Sequence, residues 1–421
     1  CPQRDERLGW MGDAQLFART SCWYMDLAAF YNKWMVDIVD AQSEAGGFSD
    51  VSPRVFVTND GAPAWADAGI IIPWTVYQCY GDTRILERHY PAMRRYVELL
   101  VTTNPELLWL RRRNNDYGDW VAAGEQTNKE LIASAYLAWD LQLMARIARI
   151  LGHADDARRY DELARRARDA FNQRYLAADG RYLGDTQTAY LLAFAFDLVP
   201  SERREAVAAR LFAALERRNY HLATGFIGTA LLLPVLSDLG RDDLAYRLLL
   251  NSDYPSWGYM IRQGATTIWE LWNSDTAGPG MNSRNHFCFG SVSEWLQRYL
   301  AGIDTDPRAP GYARVVIRPR IHPALTWVSA EYDSLRGTIA SEWRREGTRL
   351  RLRVRLPANV TGTVYVPKEE GGFEIREGDR PVWRGGRWLP GTPGDLAAHD
   401  AGDAIAIEVG SGTYEFQRTG E

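Results

Sequence analysis

Between about residue 11 and residue 302 apolar positions recur with the three-to-four spacing of a helix, in long segments divided by loops rich in Gly, Asn, Asp and Pro. The pattern predicts helices over 13–41, 64–80, 83–101, 129–151, 155–175, 202–217 and 292–301, with others between them. Asn128 stands as a cap before Lys129, and Ser201 opens a helix with Glu205 just inside. Gly81, Gly152 and Gly240 stand where helices should stop, because glycine accepts the left-handed conformation that ends them. Roughly eleven helical segments fit before residue 305, joined by alternately short and long connections. A paired-helix toroid is one architecture this permits, and a helical solenoid is another.

The period changes after Asp304. The segment 306–312 is rich in Pro and Gly and reads as a linker. Beyond it, runs at 314–318, 326–332, 337–344, 349–356, 361–366 and 413–417 alternate with period two and carry Val, Ile, Thr, Tyr and Trp. They predict an antiparallel β domain, a sandwich. In Leu350-Arg351-Leu352-Arg353-Val354-Arg355 the arginines mark the solvent face of a strand whose other face is buried. The expected division is a helical domain at 1–304 and a β-sandwich at 305–421.

An apolar fraction of 46% and a charged fraction of 24% over 421 residues suit a folded chain with a sizeable core. The net charge of -5 gives no basis for a nucleic-acid partner, which would need clustered Lys and Arg. The arginine-rich stretches at 111–113 and 158–168 stand alone or among acids and read as solvated helix faces. Cys1, Cys22, Cys79 and Cys288 form no CxxC pair and have no histidine cluster at zinc-ligand spacing, so no metal is expected. Cys22 and Cys79 read as small buried hydrophobes. No apolar run is long enough to span a bilayer, so no membrane partner is expected. The first residue is Cys and the chain opens inside what reads as a functional motif, so a piece of a longer protein is expected. A soluble protein is expected, with cytoplasmic and secreted locations both open, and so is self-association into a homo-oligomer.

The 16 Trp and 21 Tyr change the picture, because many stand beside acids in loops. Examples are Trp10-Met11-Gly12-Asp13, Trp65-Ala66-Asp67, Asp119-Trp120 and Trp269-Glu270. A pyranose has an apolar face that packs on an aromatic ring and a rim of hydroxyls that needs acceptors. Glycoside hydrolysis adds the need for two carboxyl groups flanking the scissile bond. Glu6, in Arg4-Asp5-Glu6-Arg7, and Glu270, in Gly264-Ala265-Thr266-Thr267-Ile268-Trp269-Glu270, are the candidates. An acid embedded in an apolar, Thr-rich run needs a partner or a task. For Glu270 the bland alternative is a buried ion pair with Arg262 or Arg284. His286, 16 residues further on, either lines the same site or is a satisfied structural histidine. There is no GxSxG elbow, no Walker loop and no dinucleotide fingerprint.

Five blocks in order carry a resemblance: Cys1-Pro2-Gln3-Arg4-Asp5-Glu6-Arg7-Leu8-Gly9-Trp10-Met11-Gly12-Asp13, Trp65-Ala66-Asp67-Ala68-Gly69 with Pro73-Trp74, Gly118-Asp119-Trp120, the Glu270 block, and Asn285-His286-Phe287-Cys288-Phe289-Gly290. Together they resemble the α-L-rhamnosidases of glycoside hydrolase family 78, and the segments around Pro310 and Tyr414 resemble that family's C-terminal sandwich. The resemblance implies an (α/α)6 barrel followed by an antiparallel β-sandwich. It implies an inverting hydrolase without metal or organic cofactor, acting on a rhamnose-containing glycoside or oligosaccharide. Glu6 matches the general acid, Glu270 the general base and Asp13 an acid contacting the rhamnose hydroxyls. Trp10, Trp65, Trp74 and Trp120 match aromatic wall positions, His286 a sugar-contacting histidine, and Trp269 joins the substrate-binding candidates. Asp5, Arg4, Asp67 and Asp119 are weaker matches. The chain begins at Cys1, so the resemblance implies that the family's aspartate directly before that cysteine, at least one barrel helix and the upstream β domains belong to the parent chain before it. Alternative readings are a toroid glycosidase for another sugar and a non-catalytic carbohydrate-binding paralogue.

Overall fold

The computed structural model describes residues 7–55, 59–391 and 395–420. The first compact unit comprises residues up to Val76 together with Thr83–Val292, and the second comprises Tyr77–Asp82 with the residues from Ser293 onward. Helices α1 (Met11–Tyr24), α2 (Ala28–Asp40), α3 (Ala68–Tyr80), α4 (Thr83–Thr103), α5 (Lys129–Ile150) and α6 (Ala154–Tyr175) come first. They are followed by α7 (Gln187–Ala195), α8 (Arg204–Arg217), α9 (Phe226–Asp238), α10 (Asp242–Leu249) and α11 (Trp257–Arg262).

The amphipathicity of these helices alternates. Helices α5, α7 and α9 bury residues on nearly every side, whereas α6, α8 and α10 bury only one stripe. A helix dry on all sides must be surrounded, and one with a single apolar stripe covers it from outside. Accordingly α5 packs on α6, α7 on α8 and α9, and α9 on α10. The first helix also meets the late ones: α1 packs against α9 and against the turn at 288–291, and Thr20 Oγ1 donates to the Ser291 carbonyl. A solenoid keeps its early and late helices apart. Their contact closes the paired helices into a toroid.

The expected helix over 13–41 is two helices. Met25 is extended (φ −145°, ψ 148°), and Asp26 Oδ1 accepts the Ala28 N–H at 3.2 Å where the next helix begins. Neither Gly nor Pro marks this break, so the apolar period reads straight through it. The helix expected from residue 64 begins at Ala68, and the one over 292–301 is a turn of α-helix followed by a wider π turn at Leu296–Leu300. The glycine stops hold: Gly81, Gly152 and Gly240 have φ of 70°, 76° and 73°. Cys22, Cys79 and Cys288 are buried. Among the described residues no helix is long and apolar enough to cross a membrane.

The second unit carries two sheets. Its strands are β1 (Ile303–Thr305), β2 (Arg314–Ile317), β3 (Trp327–Ser334), β4 (Gly337–Glu346), β5 (Arg349–Leu356) and β6 (Thr361–Pro367). Then come β7 (Phe373–Glu377), β8 (Arg380–Arg384), β9 (Arg387–Trp388), β10 (Asp395–Asp400), β11 (Ala404–Val409) and β12 (Gly412–Gly420). One sheet has the order β1-β2-β6-β11-β10 and the other β3-β4-β5-β12-β7-β8-β9. Pairing is antiparallel except for β2 beside β6. That pair is parallel because the chain between its strands leaves to build β3, β4 and β5 in the other sheet. The alternation in β5 is as expected: Leu350, Leu352, Val354 and Leu356 are buried and the arginines between them exposed. The stretch 306–312 is a folded turn between β1 and β2 and not a linker. The Asp306 carboxylate accepts the Arg308 N–H at 2.9 Å, and the Tyr312 N–H donates to Thr305 Oγ1 at 3.1 Å.

Helix α5 starts at its expected cap, with the Asn128 side-chain oxygen accepting the Leu131 N–H at 2.9 Å. Asn128→Ala leaves that donor without its partner and should lower stability by about 1 kcal/mol, read as a shift in the urea midpoint. An unchanged midpoint would remove the cap from the account of how α5 begins.

Candidate active site

The site is built from loops at one end of the inner helices. Residues 9–11 pair with 50–52: the Met11 N–H donates to the Asp50 carbonyl and the Ser52 N–H to the Gly9 carbonyl, each at 2.9 Å. This places Trp10 at the N-terminal cap of α1 and Asp13 in its first turn, where the helix dipole favours a carboxylate. A second pair of backbone segments faces it. The Glu270 N–H donates to the Ser283 carbonyl at 2.9 Å and the His286 N–H to the Ile268 carbonyl at 2.8 Å. The Ser283 N–H returns a hydrogen bond to Glu270 Oε2 at 3.1 Å, fixing the carboxylate as well as its backbone.

Trp10, Asp13, Trp65, Tyr117, Trp120, Phe226, Glu270 and His286 line a common cavity, about 300 Å³ measured out to its open mouth. Tyr117 is the hub of the aromatic wall. Its ring lies 4.5 Å from Trp65, 5.7 Å edge-on to Trp10 and 6.0 Å edge-on to Trp120. Its hydroxyl donates to Asp50 Oδ2 at 2.8 Å, beside the Asn115 amide at 3.0 Å. Burial raises the Asp50 carboxyl, and these two hydrogen bonds oppose the rise. Burial, then the Asp50 charge, pushes the Tyr117 phenol up, so it stays a neutral donor.

Polar character in the lining comes chiefly from two acids and one imidazole. His286 Nε2 lies 2.9 Å from Asp13 Oδ1, with both side chains almost wholly buried. His286 Nδ1 accepts the Cys288 N–H at 3.3 Å. An imidazole that accepts at Nδ1 carries its proton at Nε2, so His286 donates to Asp13 as the neutral tautomer. Among the described residues no Lys or Arg lines the cavity. The arginines considered as partners for Glu270 have other contacts: Arg262 reaches Asp253 at 3.1 Å, and Arg284 lies 5.3 Å over the Trp269 ring while donating to Ser274.

The sequence candidates therefore separate. Trp10, Asp13, Trp65, Trp120, Glu270 and His286 come together on the cavity wall, whereas Asp67, Trp74, Asp119 and Trp269 do not line it. Asp119 is buried and accepts from Thr188 Oγ1 at 2.6 Å and from the N–H groups of Gly225, Ile227 and Gly228 at 2.8, 2.8 and 3.1 Å. It ties the loop bearing Trp120 to the start of α9, where the Phe226 N–H donates to the Trp120 carbonyl at 3.0 Å. Asp67 accepts from the Ala64 N–H and the Tyr96 hydroxyl behind Trp65. Trp269 packs within the Glu270 loop, and Trp74 is half-buried in α3. Arg4, Asp5 and Glu6 lie outside the described residues. Tyr117, Asp50 and Phe226 were not expected from sequence. Tyr117 could have been found from its place two residues before Asp119, while Phe226 heads an apolar helix and reads as core. Among the described residues no group of three His, Cys, Asp or Glu side chains is arranged to hold a metal ion.

Comparison with known proteins adds to this geometry. Residues 1–300 match the family described as bacterial α-L-rhamnosidase 6 hairpin glycosidase domain, and residues 302–379 match the bacterial α-L-rhamnosidase C-terminal domain. The chain is 41% identical over 420 residues to an α-L-rhamnosidase of Streptomyces avermitilis, covering 99% of this chain and 38% of that one. It is 35% identical to an α-L-rhamnosidase of Formosa agariphila, covering 99% of this chain and 45% of that one. Among solved structures, the Streptomyces avermitilis enzyme complexed with L-rhamnose superposes with a TM-score of 0.88 at 40% identity, over 98% of this chain and 38% of that one. The α-L-rhamnosidase from Dictyoglumus thermophilum superposes with a TM-score of 0.92 at 36% identity, over 99% and 46%. The chain thus spans less than half the length of these relatives.

Trp65 lies flat on α1 at Gly12, where an added Cβ would sit 2.4 Å from the indole ring. Alanine is the better helix former by about 1 kcal/mol, but this clash outweighs it. Gly12→Ala should cost a net 1–3 kcal/mol or so by overpacking and move Trp65, read as a lower melting temperature and a changed tryptophan emission. A melting temperature raised by the substitution would show that the indole does not rest on this face.

Proposed function

Since the chain belongs to the bacterial α-L-rhamnosidase six-hairpin glycosidase family, we propose that it forms the catalytic part of an enzyme that removes terminal α-L-rhamnose from glycosides or oligosaccharides with inversion. The observation that carries this reading is the pairing of Glu270, pinned by Ser283, with an aromatic-walled cavity that also holds the Asp13–His286 pair.

In the proposed mechanism the aromatic rings take the apolar face and the methyl group of rhamnose, and Asp13 accepts from its hydroxyls. His286 holds one Asp13 oxygen, and in this mechanism the other accepts from the sugar. Glu270 takes a proton from a water as that water attacks the anomeric carbon. The bond from that carbon to the aglycone oxygen breaks, its electron pair leaves with the oxygen, and Glu6 protonates the leaving group. Positive charge grows on the ring as the bond breaks, and the carboxylates and π faces of the lining stabilise it. An inverting enzyme needs its carboxyl groups roughly 6.5–9.5 Å apart to admit the water. Glu6 enters on the motif resemblance alone.

The test is hydrolysis of an aryl α-L-rhamnoside by the complete protein, with the first-formed anomer followed by proton NMR. The expected product is the inverted anomer, and Glu270→Gln should lower kcat by on the order of 10²–10⁴ without changing the melting temperature. Full activity in that variant, or a first product of retained configuration, would overturn the assignment of Glu270 as the base.

A further inference from the structure

Behind the cavity wall lies a pair of acids that this mechanism does not use. Asp67, just before α3, and Asp140, in the middle of α5, are both wholly buried and touch each other. Asp67 is well supplied with donors: the Tyr96 hydroxyl reaches Oδ1 at 2.9 Å and the Ala64 N–H reaches Oδ2 at 2.5 Å. Asp140 has none among the described residues, since neither of its oxygens receives an N–H or O–H from them. Two carboxyl groups in contact without a cation cannot both be charged, and a single proton between them turns repulsion into a hydrogen bond. The proton belongs on Asp140, because the donors around Asp67 stabilise its charged form and nothing does so for Asp140. Burial first, then the Asp67 charge, pushes Asp140 well above the ordinary carboxylate range. Burial raises Asp67 too, against the hydrogen bonds from Asp140, Tyr96 and Ala64. The titratable groups whose charges bear most on the pair's neighbours Tyr96 and Tyr136 are Asp60, itself ion-paired to Arg112 at 3.2 Å, and Asp119.

What the pair holds is the peptide that presents Trp65. Ala64 has φ of 68°, a left-handed backbone that costs a residue with a Cβ free energy and persists only where its surroundings enforce it. Here its N–H is taken by Asp67 Oδ2, and its carbonyl accepts Gln15 Nε2 at 3.1 Å from α1. Gln15 also donates to the Tyr136 hydroxyl at 3.3 Å, one turn of α5 before Asp140. The next residue is Trp65, fixed between Gly12 and Tyr117 on the cavity wall.

We propose that Asp140 is a proton-carrying positioning residue: as a neutral acid it donates to Asp67, and Asp67 in turn holds the left-handed Ala64 peptide that sets Trp65 against the sugar. The kinetic consequence rests on the rhamnosidase reading, whereas the shared proton does not. The folded protein binds this proton more tightly than the unfolded chain. The stabilisation is therefore complete below the unfolded carboxyl value and is lost as pH rises through the raised folded value. Above that, two adjacent carboxylates repel and the turn loosens.

The experiment compares the complete wild-type protein with Asp140→Asn, which keeps a donor but cannot titrate, and Asp140→Ala, which keeps neither. Infrared difference spectra should show a buried protonated carboxyl in the wild type at neutral pH, absent from Asp140→Asn. The melting temperature of Asp140→Asn should fall less steeply with rising pH than that of the wild type. With an aryl α-L-rhamnoside, Asp140→Asn should keep KM near the wild-type value and lose the alkaline limb of kcat/KM that this group causes. Asp140→Ala should raise KM about tenfold or more, with a smaller change in kcat. Absence of the protonated-carboxyl band from the wild type at neutral pH overturns the proposal, and that measurement needs no variant to fold. So does an Asp140→Asn protein as impaired as Asp140→Ala. If no rhamnoside is turned over, the infrared band and the melting profiles still decide the proton, and only the functional reading fails.

Discussion

The cavity depends on one constraint: the loops that form it have no regular secondary structure, so their buried backbone donors must be satisfied by side chains. Asp119 meets this need most fully. One carboxylate gathers three N–H groups from the start of α9 and a hydroxyl from α7, in the place where a helix N-terminus offers orphan donors and the positive end of its dipole. With α9 seated this way, Trp120 and Phe226 fall on the same wall. Burial raises the Asp119 carboxyl while Thr188 and the three N–H groups pull it down. Asp50 does similar work for Tyr117, and Asp67 for the peptide before Trp65.

These supports explain why so aromatic a cavity has definite geometry. Flat rings packed only on each other can slide, but Tyr117 is anchored at its hydroxyl and Trp65 rests on a glycine that leaves room for it. Edge-on and tilted contacts among Trp10, Trp65, Tyr117 and Trp120 then fix the wall. The polar groups are arranged with the same economy. His286 is held at both nitrogens, so it orders Asp13 without bringing a positive charge into the cavity. The lining stays negative and aromatic, which suits a reaction whose ring becomes positive.

Much of the molecule is legible in the chain itself. Helical period and glycine stops locate the helices from α3 to α6 and α8, because both signals are local. The Trp–acid blocks mark the loops of the cavity, and the isolation of Glu270 in an apolar run singles it out. Where the local signal is silent, the reading fails. The break at Met25 has no Gly or Pro, and strands β7 to β11 are short with mixed patterns. The stretch at 306–312 has the composition of a tether, yet it is closed by hydrogen bonds that composition does not encode.

The chain alone carries the kind of its long, strongly periodic elements, the change from a helical to a β region, and the short list of loops able to meet a sugar. Tertiary structure alone decided which member of each Trp–acid pair faces the cavity. In Trp65-Ala66-Asp67 the ring faces it and the acid turns away, in Trp269-Glu270 the acid faces it, and in Asp119-Trp120 the ring does. The reason is physical. The direction an acid takes depends on where its donors lie, and for Asp119 those donors are 69 to 109 residues away along the chain. The same holds for closure of the helical ring, which requires α1 to meet α9. Spacing along a chain is blind to contacts that only folding brings together.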